Sequence, residues 1–338
     1  MTYQITVQPS GRQFSAEADE TLLDAGLRQG VLLPYGCKDG ACGACKGKLL
    51  SGSADMGDAP LPALKDEDRA AGMILFCCAK PTSDLSIECK QVSSASQFPV
   101  KTLPGRIEKF EKVAPDVVEL HLRLPASEEL QFFAGQYIDI LLKDGRKRSF
   151  SLANAPRADK MLELHIRHVP NGLFTTQVFT TMKARDILRF SGPHGSFFLR
   201  TQSTKPIILL AGGTGFAPMK GIVEQAIADG CTRPIHLYWG AKAKADLYMN
   251  DLPEQWAAAH PNIKYVPVLS EPAADDQWNG RTGFVHQAVL ADFPDLSGYQ
   301  VYACGSPVMV DIAKKEFVEL NKLPEEEFFA DAFTFSTT

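Results

Sequence analysis

The stretch Gly36-Cys37-Lys38-Asp39-Gly40-Ala41-Cys42-Gly43-Ala44-Cys45 constrains this chain most, because its three cysteines stand four and then two residues apart, a known iron–sulfur ligand spacing. Thiolates this close in sequence converge on one centre only if the backbone loops around it. Gly36, Gly40 and Gly43 let main-chain N–H groups approach that centre and stabilise its sulfurs. A fourth ligand is required, and Leu75-Phe76-Cys77-Cys78 supplies it, completing the C-x4-C-x2-C…C pattern of a [2Fe–2S] cluster. Cys37, Cys42, Cys45 and Cys77 are taken as the ligands, with the choice between Cys77 and Cys78 open. Structural zinc usually shows two short C-x2-C or H-x3-H pairs, whereas the chain has one C-x2-C, a further cysteine four residues before it, and no paired histidines nearby, which disfavours zinc. A disulfide framework suits a short secreted chain, and the opening residues do not read as a secretory leader. Cys89 and Cys231 read as small buried apolar residues.

A length of 338 residues suits two or three domains. Hydrophobic content of 45% and a mean hydropathy of −0.11 describe a soluble globular protein. No apolar run approaches the roughly 20 residues that span a bilayer; Ile207 to Ala211 has the length of a buried strand. No membrane insertion is expected. The net charge of −5 argues against nonspecific nucleic-acid binding, which needs clustered Lys and Arg. Thiols held for a cluster imply a reducing compartment, so a cytoplasmic location is expected.

Along the chain, Tyr3, Ile5 and Val7 alternate with polar residues, and Pro9-Ser10-Gly11 turns the chain into a second strand through Phe14. Thr21 N-caps a short helix that ends near Gly30. Lys48-Leu49-Leu50 and Leu85 to Cys89 read as further strands. Ser93 to Pro99 breaks every periodicity and reads as a linker. Alternating runs follow at 105–110, 117–124, 136–142, 147–152 and 162–169, a pattern for a small antiparallel barrel. Pro206 to Ala211, then Gly212-Gly213-Thr214-Gly215-Phe216-Ala217-Pro218, then a helix over 219–228, form the strand, glycine loop and helix that a dinucleotide pyrophosphate needs. Strands at 235–239, 265–269 and 300–303 continue an α/β layered domain.

The order of the first third resembles the β-grasp fold of plant-type ferredoxins. Arg148-Ser149-Phe150-Ser151 resembles the R-x-[YF]-[ST] flavin motif of the ferredoxin-NADP reductase superfamily. His165-Ile166-Arg167, the G-x-x-[ST] loop Gly172-Leu173-Phe174-Thr175, and Gly192-Pro193-His194-Gly195-Ser196-Phe197 follow in that superfamily's order, as do the G-G-T-G-x-x-P loop through Pro218 and Cys304-Gly305-Ser306-Pro307-Val308-Met309, which matches C-G-x-P-x-M. Gly240 and Asp246 fit the adenosine side. The whole chain is similar to the ferredoxin-fused reductase components of bacterial ring-hydroxylating dioxygenases and monooxygenases. The Cys37 to Gly40 loop, the Cys77-Cys78 pair and the ending Ala330-Asp331-Ala332-Phe333 look closest to CDP-6-deoxy-glucoseen reductase-like members.

That resemblance implies a multidomain α+β and α/β chain: a β-grasp [2Fe–2S] ferredoxin domain over 1–93, an antiparallel β-barrel FAD domain over 102–200, and a doubly wound α/β NAD(P)H domain over 201–338. It implies electron transfer from NAD(P)H through FAD and the cluster to a terminal oxygenase or dehydrase protein. Arg148, Ser149, Phe150, Ser151, His165, Ile166, Arg167, Gly172, Leu173 and Thr175 would hold the flavin, with the Thr175 hydroxyl at the pyrophosphate. Gly212, Gly213, Thr214, Gly215, Pro218, Gly240, Asp246, Cys304, Gly305, Pro307 and Met309 would hold the nicotinamide dinucleotide. Ser151, Thr214 and Cys304 would surround the hydride path, and Phe333 would cover the flavin face or simply pack on the core. NADH is favoured over NADPH because no arginine cluster follows Trp239, although Lys242 and Lys244 offer point charges. A monomer is the default. The alternatives are a stand-alone NAD(P)H flavin or quinone reductase, and a redox-responsive ferredoxin binding module.

Overall fold

The computed structural model describes residues 1–57, 61–92 and 98–334. They form two compact units, one of Met1–Phe98 with Gly195–Phe197, the other of Pro99–His194 with Phe198–Thr338. The linker expected over Ser93 to Gln97 lies outside the described residues.

In the first unit, β1 (Thr2–Gln8) and β2 (Arg12–Glu17) form the expected hairpin, with Ile5, Val7, Phe14 and Ala16 turned into the core by the two-residue alternation. Helix α1 (Leu22–Arg28) starts at Thr21, whose side chain accepts from the Asp24 backbone N–H, and it buries Leu22, Leu23 and Ala25. Strand β3 (Lys46–Ser51) leaves the cysteine loop and is followed by β4 (Ala54–Asp55), α2 (Asp66–Ala70), β5 (Met73–Leu75), β6 (Lys80–Pro81) and β7 (Leu85–Glu88). The sheet order is β2-β1-β7-β3-β5, with β1 and β7 parallel and the other neighbours antiparallel. The small pair β4–β6 stands apart from it. Leu22 and Leu23 donate their backbone N–H groups to Ala79 and Phe76, so the helix start is tied to the segment that carries Cys77.

The second unit begins with six antiparallel strands, β8 (Lys101–Ala114), β9 (Val117–Arg123), β10 (Tyr137–Leu141), β11 (Lys147–Ser151), β12 (Met161–Arg167) and, after helix α3 (Leu173–Thr180), β13 (Ile187–His194). Their order is β11-β10-β13-β8-β9-β12, and a bridge between Leu152 and Leu164 joins the two ends, closing the barrel. Its interior is filled by Ile107, Leu120, Leu122, Ile138, Ile140, Leu164, Ile166 and Phe190. The Gly192-Pro193-His194 triplet, read from sequence as part of a closing turn, continues β13; the chain turns at Gly195, whose φ is 91°.

Next come β14 (Ile207–Gly212), a tight turn at Gly213–Gly215, α4 (Phe216–Ala228), β15 (Ile235–Ala241), α5 (Asp251–Ala259), β16 (Ile263–Leu269), β17 (Arg281–Thr282), α6 (Val285–Asp292), β18 (Gln300–Gly305), α7 (Pro307–Glu319) and β19 (Phe328–Ala332). The six strands are all parallel, ordered β17-β16-β15-β14-β18-β19. Central β14 is apolar through Ile207 to Ala211 because helices cover both faces of such a sheet. Helix α4 starts at Phe216, three residues before the apolar pattern suggested, since Pro218 is tolerated in a first turn whose N–H groups need no intrahelical partner. Strand β19 was not read from the sequence. It turns the expected C-terminal tail into a sheet edge and sets Asp331 beside Cys304.

Candidate functional site

The four thiols expected to hold a cluster fall into two pairs. The Cys37 N–H points at the Cys42 sulfur at 3.3 Å and the Cys42 N–H at the Cys37 sulfur at 3.2 Å, while the Cys45 and Cys77 sulfurs are 3.2 Å apart. All eight cysteines of the chain are free thiols. Cys78 stands 3.5 Å from Cys77 and is half-buried, whereas Cys77 is buried. Gly40 and Gly43 have φ of 81° and 74°, and a Cβ on Gly40 would lie 2.6 Å from a Leu61 methyl and 3.1 Å from the Cys78 sulfur. The loop therefore closes on the thiols only with glycine there. Hydrogen bonding with Cys42 and burial push the Cys37 thiol well above its ordinary value, and Cys45 and burial do the same to Cys77. Thiolates crowded this way repel one another, and a bound cation reverses the sign. Cys37, Cys42, Cys45 and Cys77 together are a donor set that fits a [2Fe–2S] cluster. Cys89 is buried as expected, but Cys231, beyond the end of α4, is half-buried.

On the barrel, Arg148 Nη1 donates to the Lys147 carbonyl at 2.7 Å, and the Ser149 hydroxyl donates to Asp139 Oδ1 at 2.7 Å. Phe150 packs against Phe174 of α3, ring centres 5.4 Å apart. Ser151 is buried, and its hydroxyl donates to Asp331 Oδ2 at 3.2 Å. Ile166 is wholly buried in the barrel core, so its side chain is unavailable to a ligand. The His165 ring is committed to protein: Nδ1 lies 3.0 Å from the Tyr248 hydroxyl and Nε2 lies 3.0 Å from Glu163 Oε1. Arg167 pairs with Asp116 at 3.2 Å and lies against the glycine loop, its Nη1 2.9 Å from where a Gly213 Cβ would stand. Its Nη2 is buried without a hydrogen-bond partner among the described residues. A buried cationic donor left over in this way fits a phosphate oxygen.

The G-x-x-[ST] stretch is a helix start, with Gly172 as N-cap and Leu173 exposed in the first turn of α3. The Thr175 hydroxyl takes the Val169 N–H at 3.1 Å and donates to the Val169 carbonyl at 3.2 Å. It is thus spent within the turn rather than held out for a pyrophosphate, leaving the backbone N–H groups of the first turn for an anion.

In the parallel sheet the register aligns Gly212 with Gly240, Ala211 with Cys304, and Cys304 with Asp331, so all of them stand at the strand carboxyl ends. Ligands of such sheets bind there. A Cβ on Gly215 would fall 2.1 Å from the Cys304 carbonyl oxygen, one on Gly212 would meet the Met309 sulfur at 2.6 Å, and one on Gly240 would meet Val285 at 2.7 Å. Gly215 is forced by close backbone approach, whereas Gly212 and Gly240 make room for the Met309 and Val285 side chains. Thr214 sits in the middle of the turn, which is braced by the Trp239 indole N–H donating to the Gly213 carbonyl at 2.9 Å and by Phe216 stacked on Trp239. Gly305 has φ 153°; Ser306 caps α7 by accepting from the Met309 N–H, with Pro307 at its first position. Ser306 was not singled out from sequence. Asp246 Oδ2 accepts the Ala243 N–H at 3.1 Å in the loop after β15. The Phe333 N–H donates to the Gly305 carbonyl at 2.8 Å.

The Cys304 sulfur lies 3.9 Å from Asp331 Oδ2; burial and that carboxylate hold the thiol well above its ordinary value, so it stays an S–H. Burial pushes the Asp331 carboxyl up to about 6, against the lowering effect of the Ser151 hydroxyl. Ser151, Cys304 and Asp331 therefore form one cluster joining the flavin-side strand to the sheet end. Asp331, a single acid in the otherwise apolar run Phe328 to Phe333, was not singled out from sequence, although a lone acid in such a run signals a buried, partnered carboxyl.

Among the described residues no helix is long and apolar enough to cross a membrane. Three family models match in order: a 2Fe-2S iron-sulfur cluster binding domain over residues 5–82, an oxidoreductase FAD-binding domain over 104–199, and an oxidoreductase NAD-binding domain over 209–315. The chain is 44% identical over 333 residues to the CDP-6-deoxy-L-threo-D-glycero-4-hexulose-3-dehydrase reductase of Yersinia pseudotuberculosis, covering 98% of this chain and 99% of that one. It is 38% identical to the reductase component of phenol 2-monooxygenase from a Pseudomonas species, over 98% and 95% of the two chains. The crystal structure of an Amycolatopsis cytochrome P450 reductase matches with a TM-score of 0.79 and 35% identity, over 98% and 99% of the two chains. The chain belongs to the ferredoxin-fused branch of the ferredoxin-NADP reductase superfamily, and is an NAD(P)H-dependent flavin iron–sulfur oxidoreductase that transfers electrons to a partner.

Proposed function

We propose that this chain takes electrons from NADH and delivers them singly from its cluster to a terminal dehydrase or oxygenase, a sugar-nucleotide dehydrase being favoured by the 44% identity to the Yersinia reductase. The observation that carries the reading is the convergence of Ser151, Cys304 and Asp331 beside the glycine loop, because it places barrel and sheet residues at one point. When bound, the flavin supplies the conversion between two-electron hydride chemistry and the one-electron chemistry of the cluster. Arg167 and the first turn of α3 hold the flavin phosphates, beside Arg148, Ser149 and Phe150. The Gly212–Gly215 turn and the α4 N-terminus hold the dinucleotide phosphates, and Thr214 with Cys304 flanks the nicotinamide. Asp331 is ionised at neutral pH, its Oδ2 accepting the Ser151 hydroxyl, and takes up a proton as the pH falls through about 6. Phe333 covers the same site from the sheet edge.

Cys77 is the fourth ligand in this reading, supported by its 3.2 Å approach to Cys45. NADH is preferred because the Lys244 ammonium reaches the Asp276 carbonyl at 3.4 Å while its N–H bonds the Asp276 carboxylate, drawing it from a 2′-phosphate. The domain boundaries proposed are 1–93, 102–200 and 201–338, which enclose the three family matches. The protein works as a monomer in the cytoplasm, where its free thiols persist.

The test compares wild type with Cys42→Ser using two acceptors, ferricyanide, which takes electrons at the flavin, and cytochrome c, which stands in for the one-electron partner. The variant keeps NADH–ferricyanide activity and loses cytochrome c reduction. Full cytochrome c reduction by Cys42→Ser would favour a stand-alone flavin reductase instead.

A further inference from the structure

Lys220 is the sole charged residue between Phe216 and Val223 of α4, and it is 5% exposed. Its ammonium donates to the Ala153 carbonyl at 3.1 Å, lies 3.0 Å from both oxygens of Glu163, and meets Glu224 Oε1 at 2.7 Å. Glu163, 2% exposed on β12, also takes Arg157 at 3.3 Å and His165 Nε2 at 3.0 Å. His165 continues the chain of contacts to the Tyr248 hydroxyl in the loop after β15. Helix α4 is pressed onto the same barrel segment at Gly221, where a Cβ would stand 3.0 Å from the Asn154 carbonyl oxygen.

Three elements meet here. Strand β12 ends in Ile166-Arg167, on the flavin side; α4 begins at the glycine turn of the nicotinamide side; the loop through Tyr248 borders the adenosine side. A buried ion pair is poor evidence of stability, because desolvation offsets most of its attraction, but it does select one arrangement of the groups it joins. Tight stacking of one heterocycle on another needs such an arrangement, since small misplacements slow a transfer steeply.

Resting on the functional reading above, we propose that Glu163 and Lys220 form a latch that fixes α4 on β12 and so sets how the nicotinamide stacks on the flavin; both are positioning residues, with His165 and Tyr248 extending the latch to the adenosine loop. Neither touches the reacting atoms.

The test is anaerobic stopped-flow mixing of NADH with holoprotein, reading the limiting rate of flavin bleaching, the apparent dissociation constant, and the amplitude of the long-wavelength charge-transfer absorbance that reports nicotinamide stacked on flavin. Glu163→Gln, which is isosteric, and Lys220→Met each lower the limiting rate by about tenfold or more, reduce the charge-transfer amplitude, and leave the dissociation constant within about threefold. The double variant is no slower than the slower single, because both changes open one latch. Lys314→Met, which breaks the ion pair of α7 with Glu325 and leaves the Glu163 and Lys220 partners unchanged, bleaches at the wild-type rate. Variants that lose thermal stability yet bleach at the wild-type rate with full charge-transfer amplitude would overturn the latch and leave the pair a packing feature. Should Lys220→Met fail to retain flavin, Glu163→Gln decides the matter. Wild-type holoprotein that neither nucleotide bleaches would instead overturn the functional reading, and the latch with it.

Discussion

Replacing Asp331 by Asn should make the flavin–nicotinamide unit more stable at alkaline pH and less active. The folded protein raises this carboxyl from its ordinary 3.8 to about 6. Because the folded acid is the weaker one, the native state binds its proton more tightly than the unfolded chain does, so ionising it opposes folding. The penalty is absent below about pH 4, grows between about pH 4 and 6, and is full above that. At 1.36 kcal/mol for each tenfold change in acidity, its upper limit is about 3 kcal/mol. Asn keeps an oxygen for the Ser151 hydroxyl and a similar volume but carries no charge. Differential scanning of wild type and Asp331→Asn at pH 5 and pH 8 measures the gap. At roughly 2–4 °C per kcal/mol for a unit of this size, the variant should melt several degrees higher at pH 8 and by about half that margin at pH 5, where about half of the penalty remains. Equal midpoints at pH 8, or a lower one for the variant, would refute the reasoning. The gain in stability should come with slower NADH-driven flavin bleaching, a trade common where a charge is held for function.

Gly215→Ala sets a Cβ 2.1 Å from the Cys304 carbonyl oxygen; both are backbone-fixed, so nucleotide-dependent bleaching should fall by about a hundredfold or the fold be lost, measured by NADH titration beside circular dichroism. Gly40→Ala, at φ 81° and 2.6 Å from Leu61, should give protein with flavin but under half the wild-type iron content by colorimetric assay. Thr21→Ala removes the side chain that accepts the Asp24 N–H; it should cost the ferredoxin unit about 1 kcal/mol in urea unfolding followed by cluster absorbance, without changing the flavin.

Much of this fold was legible because local patterns and tertiary demands agree. Alternation in β1 and β2, the Thr21 cap, and the apolar β14 each state their burial directly. The glycines at 212 and 215 were legible as a loop signature and Gly240 as a strand end, and the structure supplies the cause: the Cys304 backbone against Gly215, and the Met309 and Val285 side chains against Gly212 and Gly240. What escaped were residues whose meaning depends on distant partners. Asp331 matters because β19 pairs with β18, a long-range parallel pairing that no short window of sequence reveals. Lys220 and Glu163 are 57 positions apart, and only the packing of α4 on the barrel makes one the partner of the other. His165 and Thr175 stood in flavin-motif positions, yet their polar atoms are taken up by Glu163, Tyr248 and Val169; a motif marks the backbone position and leaves the side chain's partner to the fold.

The central claim is that one chain carries electrons from a nicotinamide through flavin to its own cluster. Anaerobic titration of the purified holoprotein with NADH, then NADPH, followed by visible absorbance, tests it most directly. The expected result is loss of both the flavin and the iron–sulfur bands with NADH at substoichiometric steps, and a much weaker response to NADPH. Flavin that bleaches while the cluster stays oxidised would contradict it.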